Sequence, residues 1–191
     1  MLVEQSTGEE LVVLRFEAPT EGIWNIRIFA QGEVYNGSFH LWLPIRQFVT
    51  GEVYFLRPDP YTTMTEPSYA ENVITVSSYN DRNTSFYQES GRGFAGNGEV
   101  KPDLAAPGVN VSTIYGPTTG SSMAAAIAAG AVAQFLQWAV VEKNRPLVEG
   151  VEVKSYLIRG ASRSGDLLYP NPEWGYGRLD VAGVFEVLAR V

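Results

Sequence analysis

The chain has 191 residues, 45% of them hydrophobic and 18% charged, which suits a globular protein with a real core. A net charge of −7 argues against nucleic acid as a partner, because its cations are outnumbered where phosphates would have to be neutralised. With no cysteine and a single histidine, His40, the chain offers no disulfide, no thiolate metal site and no thiol nucleophile.

The amino terminus, MLVEQSTGEELVVLRFEAP, has neither a basic start nor an apolar run, so no signal peptide is expected. Three Asn-x-Ser/Thr triplets, at Asn36, Asn83 and Asn110, are read as chance without such a leader. Residues 10 to 57 look all-β. ELVVLRFEAP is a β-branched run ending at Pro19. GIWNIRIFA sets Ile23, Asn25 and Arg27 against Trp24, Ile26 and Ile28 with strand period. GSFHLWLP and GEVYFLRP follow, each opened by Gly and closed by Pro. Four strands at this spacing suggest part of a sandwich or jelly roll. The segment RPDPYTTMTEPSYAEN, rich in Pro and Thr, marks the domain boundary, giving expected domains of 1–60 and 61–191.

The second domain has a different grammar. NVITVSSY predicts a strand, and KPDLAAPGVNVSTIY an extended stretch broken at Pro107-Gly108. Ser122 to about Lys143 has helix-forming composition and no proline. VEVKSYLIRGAS and LDVAGVFEVLARV predict two further helices. Strands followed by a long helix and shorter ones indicate an α/β arrangement. The apolar run from Met123 to Val141 is alanine-rich, carries two glutamines and ends in Glu142-Lys143. It reads as a core helix, so no membrane partner is expected.

GRGFAG, Gly91 to Gly96, has the spacing of a dinucleotide-binding loop. NGEVKPDLAAPG follows it and cannot open a helix, so it is read as a mobile surface loop. His40, in a predicted strand, is the only candidate base within the chain. A histidine on a β face, solvated or satisfied in the core, is the plainer reading.

The densest signal is TTGSSMAAAIAAG, from Thr118 to Gly130. Small residues at 124–126, 128–131 and 133 cover every face of a helix, implying a central helix approached closely by neighbours. Ser121 or Ser122 falls at the helix start, beside backbone amides without intrahelical acceptors. Such a hydroxyl is either a nucleophile whose neighbouring amides stabilise an oxyanion or a plain serine N-cap, and local chemistry leaves both open.

Gly120-Ser121-Ser122-Met123-Ala124 resembles the Gly-Thr-Ser-Met-Ala motif around the nucleophile of subtilisin-like serine proteases, the subtilases. ENVITVSSYNDRNTSFYQESGRG, KPDLAAPGVNV and WGYGRLDVAGVFEVL resemble further family segments in the same order, so the resemblance covers about residues 67 to 191. It implies an α/β subtilisin-like core, strands around a long central helix, preceded by a small all-β jelly-roll-like segment. That inserted segment is similar to the one in clostridial Csp-type spore-germination subtilases. By resemblance, Ser122 is the catalytic nucleophile of a serine endopeptidase acting on protein or peptide substrates. The family's catalytic Asp and His and its oxyanion Asn lie upstream of this region, and no motif here matches them. The chain is therefore expected to be the carboxyl-terminal part of a bacterial protease, inactive alone and completed by the upstream half. Apolar edges left by the missing half would favour self-association of the fragment. Ala126-Ile127 stands where the family has Pro-His, which keeps an alternative open: a non-catalytic subtilase scaffold that binds and regulates. No cofactor is expected, and the resemblance leaves calcium open without an assignable ligand cluster. It leaves spore association or the cytoplasm open as the compartment.

Overall fold

A computed structural model describes residues 2–3, 10–29, 32–33, 37 and 39–190. The chain divides into two units, Met1–Val53 and Tyr54–Val191.

In the first unit, β1 (Leu2–Val3) pairs antiparallel with β2 (Glu10–Leu11), and a 3-10 turn spans Arg46–Phe48. The four strands expected over 10–57 are not present among the described residues beyond β2. A strand needs a neighbour for its backbone polar groups and a cover for its apolar face. Trp24, Ile26 and Ile28, the apolar face of the expected second strand, are all exposed. Asn36 and Ser38, which fall between and within the expected strands, lie outside the described residues.

The second unit is built on a small sheet with the order β4-β3-β5. β3 (Val76–Asn80) runs parallel to β5 (Leu104–Pro107), with Val76 opposite Leu104 and Tyr79 opposite Pro107. β4 (Ser85–Phe86) returns antiparallel on the outer side of β3. The segment around Gly177–Leu179 reaches the free side of β5, where Ala105 N–H donates to the Gly177 carbonyl at 2.9 Å and Leu179 N–H to the Ala105 carbonyl at 2.8 Å. β6 (Val111–Thr113) and β7 (Gly116–Thr118) form a separate hairpin that leads directly to the long helix.

Three helices complete the unit. α1 (Ser121–Leu136) continues through one π turn, Gln137–Val141. It packs across β3 and β5 through Ala124, Ala128, Ala131 and Phe135, with Ala139 extending that line. Its other faces carry exposed Ala125, Ala126, Ala129, Gly130 and Ala133, so the helix is buried along one stripe and not all round as its composition predicted. α2 (Gly150–Gly160) starts with a capping box in which the Glu152 carboxylate accepts from the Glu149 amide at 3.0 Å. α3 (Val181–Leu188) is capped by Asp180, which accepts from Gly183 N–H at 2.9 Å. α2 and α3 cross closely: a Cβ on Gly160 would lie 2.4 Å from the Val184 nitrogen.

Alternation along the strands separates two cores. Leu104 joins Phe135, Ala139, Val153, Leu157 and Val184 beneath the helices. Ala105, pointing the other way, joins Tyr79 and Trp174.

GRGFAG is a buried joint, which corrects the expectation of a mobile surface loop. Arg92 and Ala95 are buried, Gly93 N–H donates to the Pro172 carbonyl at 2.9 Å, and a Cβ on Gly93 would overlap the Lys101 carbonyl oxygen at 1.5 Å. Glycine stands at position 93 because nothing larger fits.

Candidate active site

The loop that presents Ser122 is held to the sheet through successive peptide hydrogen bonds. Gly108 N–H donates to the Tyr79 carbonyl on β3 at 2.9 Å, and Gly120 N–H donates to the Gly108 carbonyl at 2.8 Å. Met123 N–H then donates to the Gly120 carbonyl at 3.0 Å, closing the first turn of α1. The hairpin β6–β7 between these points is tied off by Asn110 N–H donating to the Thr119 hydroxyl at 2.9 Å.

Ser121 and Ser122 are the first and second residues of α1, and both are exposed. Neither is the N-cap. That position belongs to Gly120, which has no side chain to cap with. The plain serine-cap alternative is therefore not what the fold uses. Both hydroxyls sit at the positive end of a long helix, where backbone amides of the first turn lack i−4 acceptors. An exposed hydroxyl beside such amides can attack a carbonyl whose developing oxyanion the amides receive.

A serine nucleophile needs a base to take its proton. The chain's one histidine, His40, belongs to the first unit, where it is exposed and its ring stacks on Trp42 with centroids 5.4 Å apart. It does not sit on a strand as the sequence suggested. No group of three or more His, Cys, Asp or Glu side chains suited to a metal occurs among the described residues.

At the other end of the strands, before β5, and along the sheet lie polar groups that composition did not single out. Lys101 is fully buried; its Nζ donates to Asp103 Oδ2 and to the Val73 carbonyl, each at 3.1 Å. Asp103 also accepts from Thr75 N–H at 2.7 Å and faces Lys154 Nζ of α2 at 3.4 Å. Arg92 pairs with Glu173 at 2.9 Å and lies over the Phe86 ring, 4.6 Å from its centroid. Burial, and then the charge and hydrogen bond of Asp81, push the Tyr79 phenol up to about 12. The one advance signal of the lysine–aspartate pair was KPD itself, where two opposite charges flank a proline before an apolar strand. A groove of about 330 Å³ between α1 and α2, walled by Val132, Leu136, Val148 and Val153, is not lined by Ser122.

A sheet with the parallel pair β3–β5 at its heart, a long helix opening on Gly-Ser-Ser and a closing segment that returns to the sheet edge define an α/β core of the subtilisin type. The model of the subtilase family of peptidases matches residues 56–177, more than half of the chain, and the chain belongs to that family. Serine protease AprX of Bacillus subtilis is 31% identical over 129 residues, covering 54% of this chain and 28% of its own length. The structure of the Clostridium perfringens CspB protease superposes with a TM-score of 0.68 at 38% identity, covering 71% of this chain and 31% of that one. The patellamide maturation protease PatA shares the fold at 20% identity and a TM-score of 0.55 over 69% of this chain. The chain thus spans about a third or less of the length of AprX and CspB.

Proposed function

We propose that this chain carries the nucleophile of a subtilisin-like serine endopeptidase, with Ser122 as that nucleophile, acting on protein or peptide substrates. The observation that carries the reading is Ser122 itself: an exposed hydroxyl at the second position of α1, inside the family-matched region. In the complete protein, Ser122 Oγ attacks the peptide carbonyl and an upstream histidine takes its proton. An upstream aspartate orients that histidine. The Ser122 amide and an upstream asparagine receive the oxyanion.

The Tyr54–Val191 unit contains no histidine at all, so the base comes from outside it. This chain alone is proposed to be inactive, as the carboxyl-terminal part that the upstream half of the same protease completes. Residues 1–60 are proposed to belong to an inserted jelly-roll-like segment. The antiparallel pairing of β1 with β2 supports that assignment.

A fluorophosphonate probe tests the reading. The complete protein is expected to be labelled at Ser122, and Ser122→Ala to abolish both labelling and hydrolysis. Loss of a triad nucleophile lowers turnover about a million-fold, a magnitude known for subtilisin itself. Failure of the complete, folded protein to label would instead favour a binding scaffold. The replacement of the family's Pro-His by Ala126-Ile127 is the one feature that points that way.

A further inference from the structure

Ser78 is the middle residue of β3 and is fully buried, and among the described residues its Oγ has no hydrogen-bond partner. Its backbone is fully employed: the carbonyl accepts from Tyr87 N–H and the amide donates to Ser90 Oγ, both at 3.0 Å. The hydroxyl faces Gly108. A Cβ on Gly108 would fall 1.9 Å from Ser78 Oγ and 2.9 Å from the Gly120 carbonyl oxygen. Ser78 Oγ therefore fills the space a Gly108 side chain would take, a space also bordered by the Gly120 carbonyl oxygen that accepts from Met123 N–H in the first turn of α1.

An unpaired buried hydroxyl costs stability, and alanine would fit the same strand position without it. Packing alone gives no reason for serine here.

We propose that Ser78 is a positioning residue for Ser122: its Oγ, wedged against Gly108, sets the height of the Gly108–Gly120 rung and so the placement of the first turn of α1. This rests on Ser122 being the nucleophile. The wedge works because Gly108 has no side chain, so the hydroxyl meets backbone and not a rotamer that could swing aside. A displaced rung carries Gly120 with it, and through the Gly120 carbonyl it carries Met123 N–H and the serine turn between them. Misplacement of a reacting group by about an ångström can lower its rate on the order of a hundredfold.

The test compares wild type, Ser78→Ala, Gly108→Ala and the double variant, by thermal midpoint and amide hydrogen exchange in this chain. Fluorophosphonate labelling rates are measured in the complete protein. Ser78→Ala is expected to keep or raise the midpoint while the Gly120 and Met123 amides exchange about tenfold faster and the β3 and β5 amides do not change. Labelling at Ser122 should then slow about tenfold or more, consistent with a small displacement. Gly108→Ala is expected to be worse than Ser78→Ala on every measure, and adding Ser78→Ala to it should restore part of the loss.

The proposal is overturned if Ser78→Ala leaves Gly120 exchange unchanged. It is equally overturned if that variant lowers the midpoint with all sheet amides accelerated alike, since that is a purely structural role. A double variant no better than Gly108→Ala would remove the wedge argument. If the wild-type complete protein does not label, the nucleophile reading falls and the catalytic meaning of Ser78 with it. The exchange data would still report separately whether Ser78 sets the turn.

Discussion

Lys101 is a charged side chain with no exposure, and it is tolerable there because Asp103 lies 3.1 Å away and the Val73 carbonyl accepts from its Nζ. Removing the aspartate leaves a buried ammonium without its counter-charge, which costs about 3–5 kcal/mol in such settings. Asp103→Ala is therefore expected to lower the unfolding free energy by about that amount in a urea titration. Tyr79 supplies a pH signature. Its phenol titrates near 10 when unfolded and is pushed up to about 12 in the fold. Above pH 10 the unfolded chain releases this proton while the folded chain keeps it, so unfolding gains ground. The contribution is intact below pH 10 and is lost as pH rises from 10 to 12. Between pH 9 and pH 11 the wild type should lose more stability than Tyr79→Phe, measured in parallel urea titrations; equal losses would contradict the assignment.

Among the elements, α1 shows how composition and burial diverge. Its alanines are distributed round the helix, yet Ala124, Ala128 and Ala131 alone among them meet the sheet. Ala128→Leu forces extra volume between α1 and the strands and is expected to cost about 1–3 kcal/mol. Ala129→Leu, one residue on but exposed, is expected to stay within about 0.5 kcal/mol of wild type. A thermal melt of the two variants separates the outcomes. β3, β5 and the three helices of the second unit were legible because their local patterns agree with their surroundings: NVITVSSY holds β3 up to Tyr79, and the proline break in KPDLAAPGVNV separates β5 from β6. The alternation of GIWNIRIFA gave an equally clear strand signal, but the described structure leaves that segment without a pairing neighbour. Period reports which face a strand would bury, and it does not supply the partner that buries it.

Across the whole chain, the two units differ in how their backbones are satisfied. Tyr54–Val191 holds the three-stranded sheet, the three helices and both buried clusters. In Met1–Val53 the described residues carry one two-stranded pairing and one 3-10 turn, with Val13, Ile23, Phe29 and Phe48 all more than 70% exposed. Limited proteolysis is expected to cut first in the exposed stretches 12–29 and 39–53 and to leave a product beginning near Tyr54, identified by intact mass. The exposed faces of α1 and the apolar residues of the first unit also support the proposed self-association, which light scattering reads directly.

The sequence alone determined the α/β character of the second unit, the helix that begins at the serine pair and the family to which the chain belongs. Those features live in short windows, where residue order dictates backbone preference and where Gly-Ser-Ser-Met-Ala and KPDLAAPG survive as strings. Tertiary structure decided what lies far apart in the chain: Gly93 against Lys101, Asp103 against Lys154, and Ser78 beneath Gly108 and Gly120. It also decided that Gly120, and not a serine, caps α1, leaving the Ser122 hydroxyl free at the helix mouth. The physical reason is that burial and hydrogen-bond pairing are properties of neighbours in space, and a hydroxyl on β3 carries no mark in the sequence of the glycine it will meet thirty residues later.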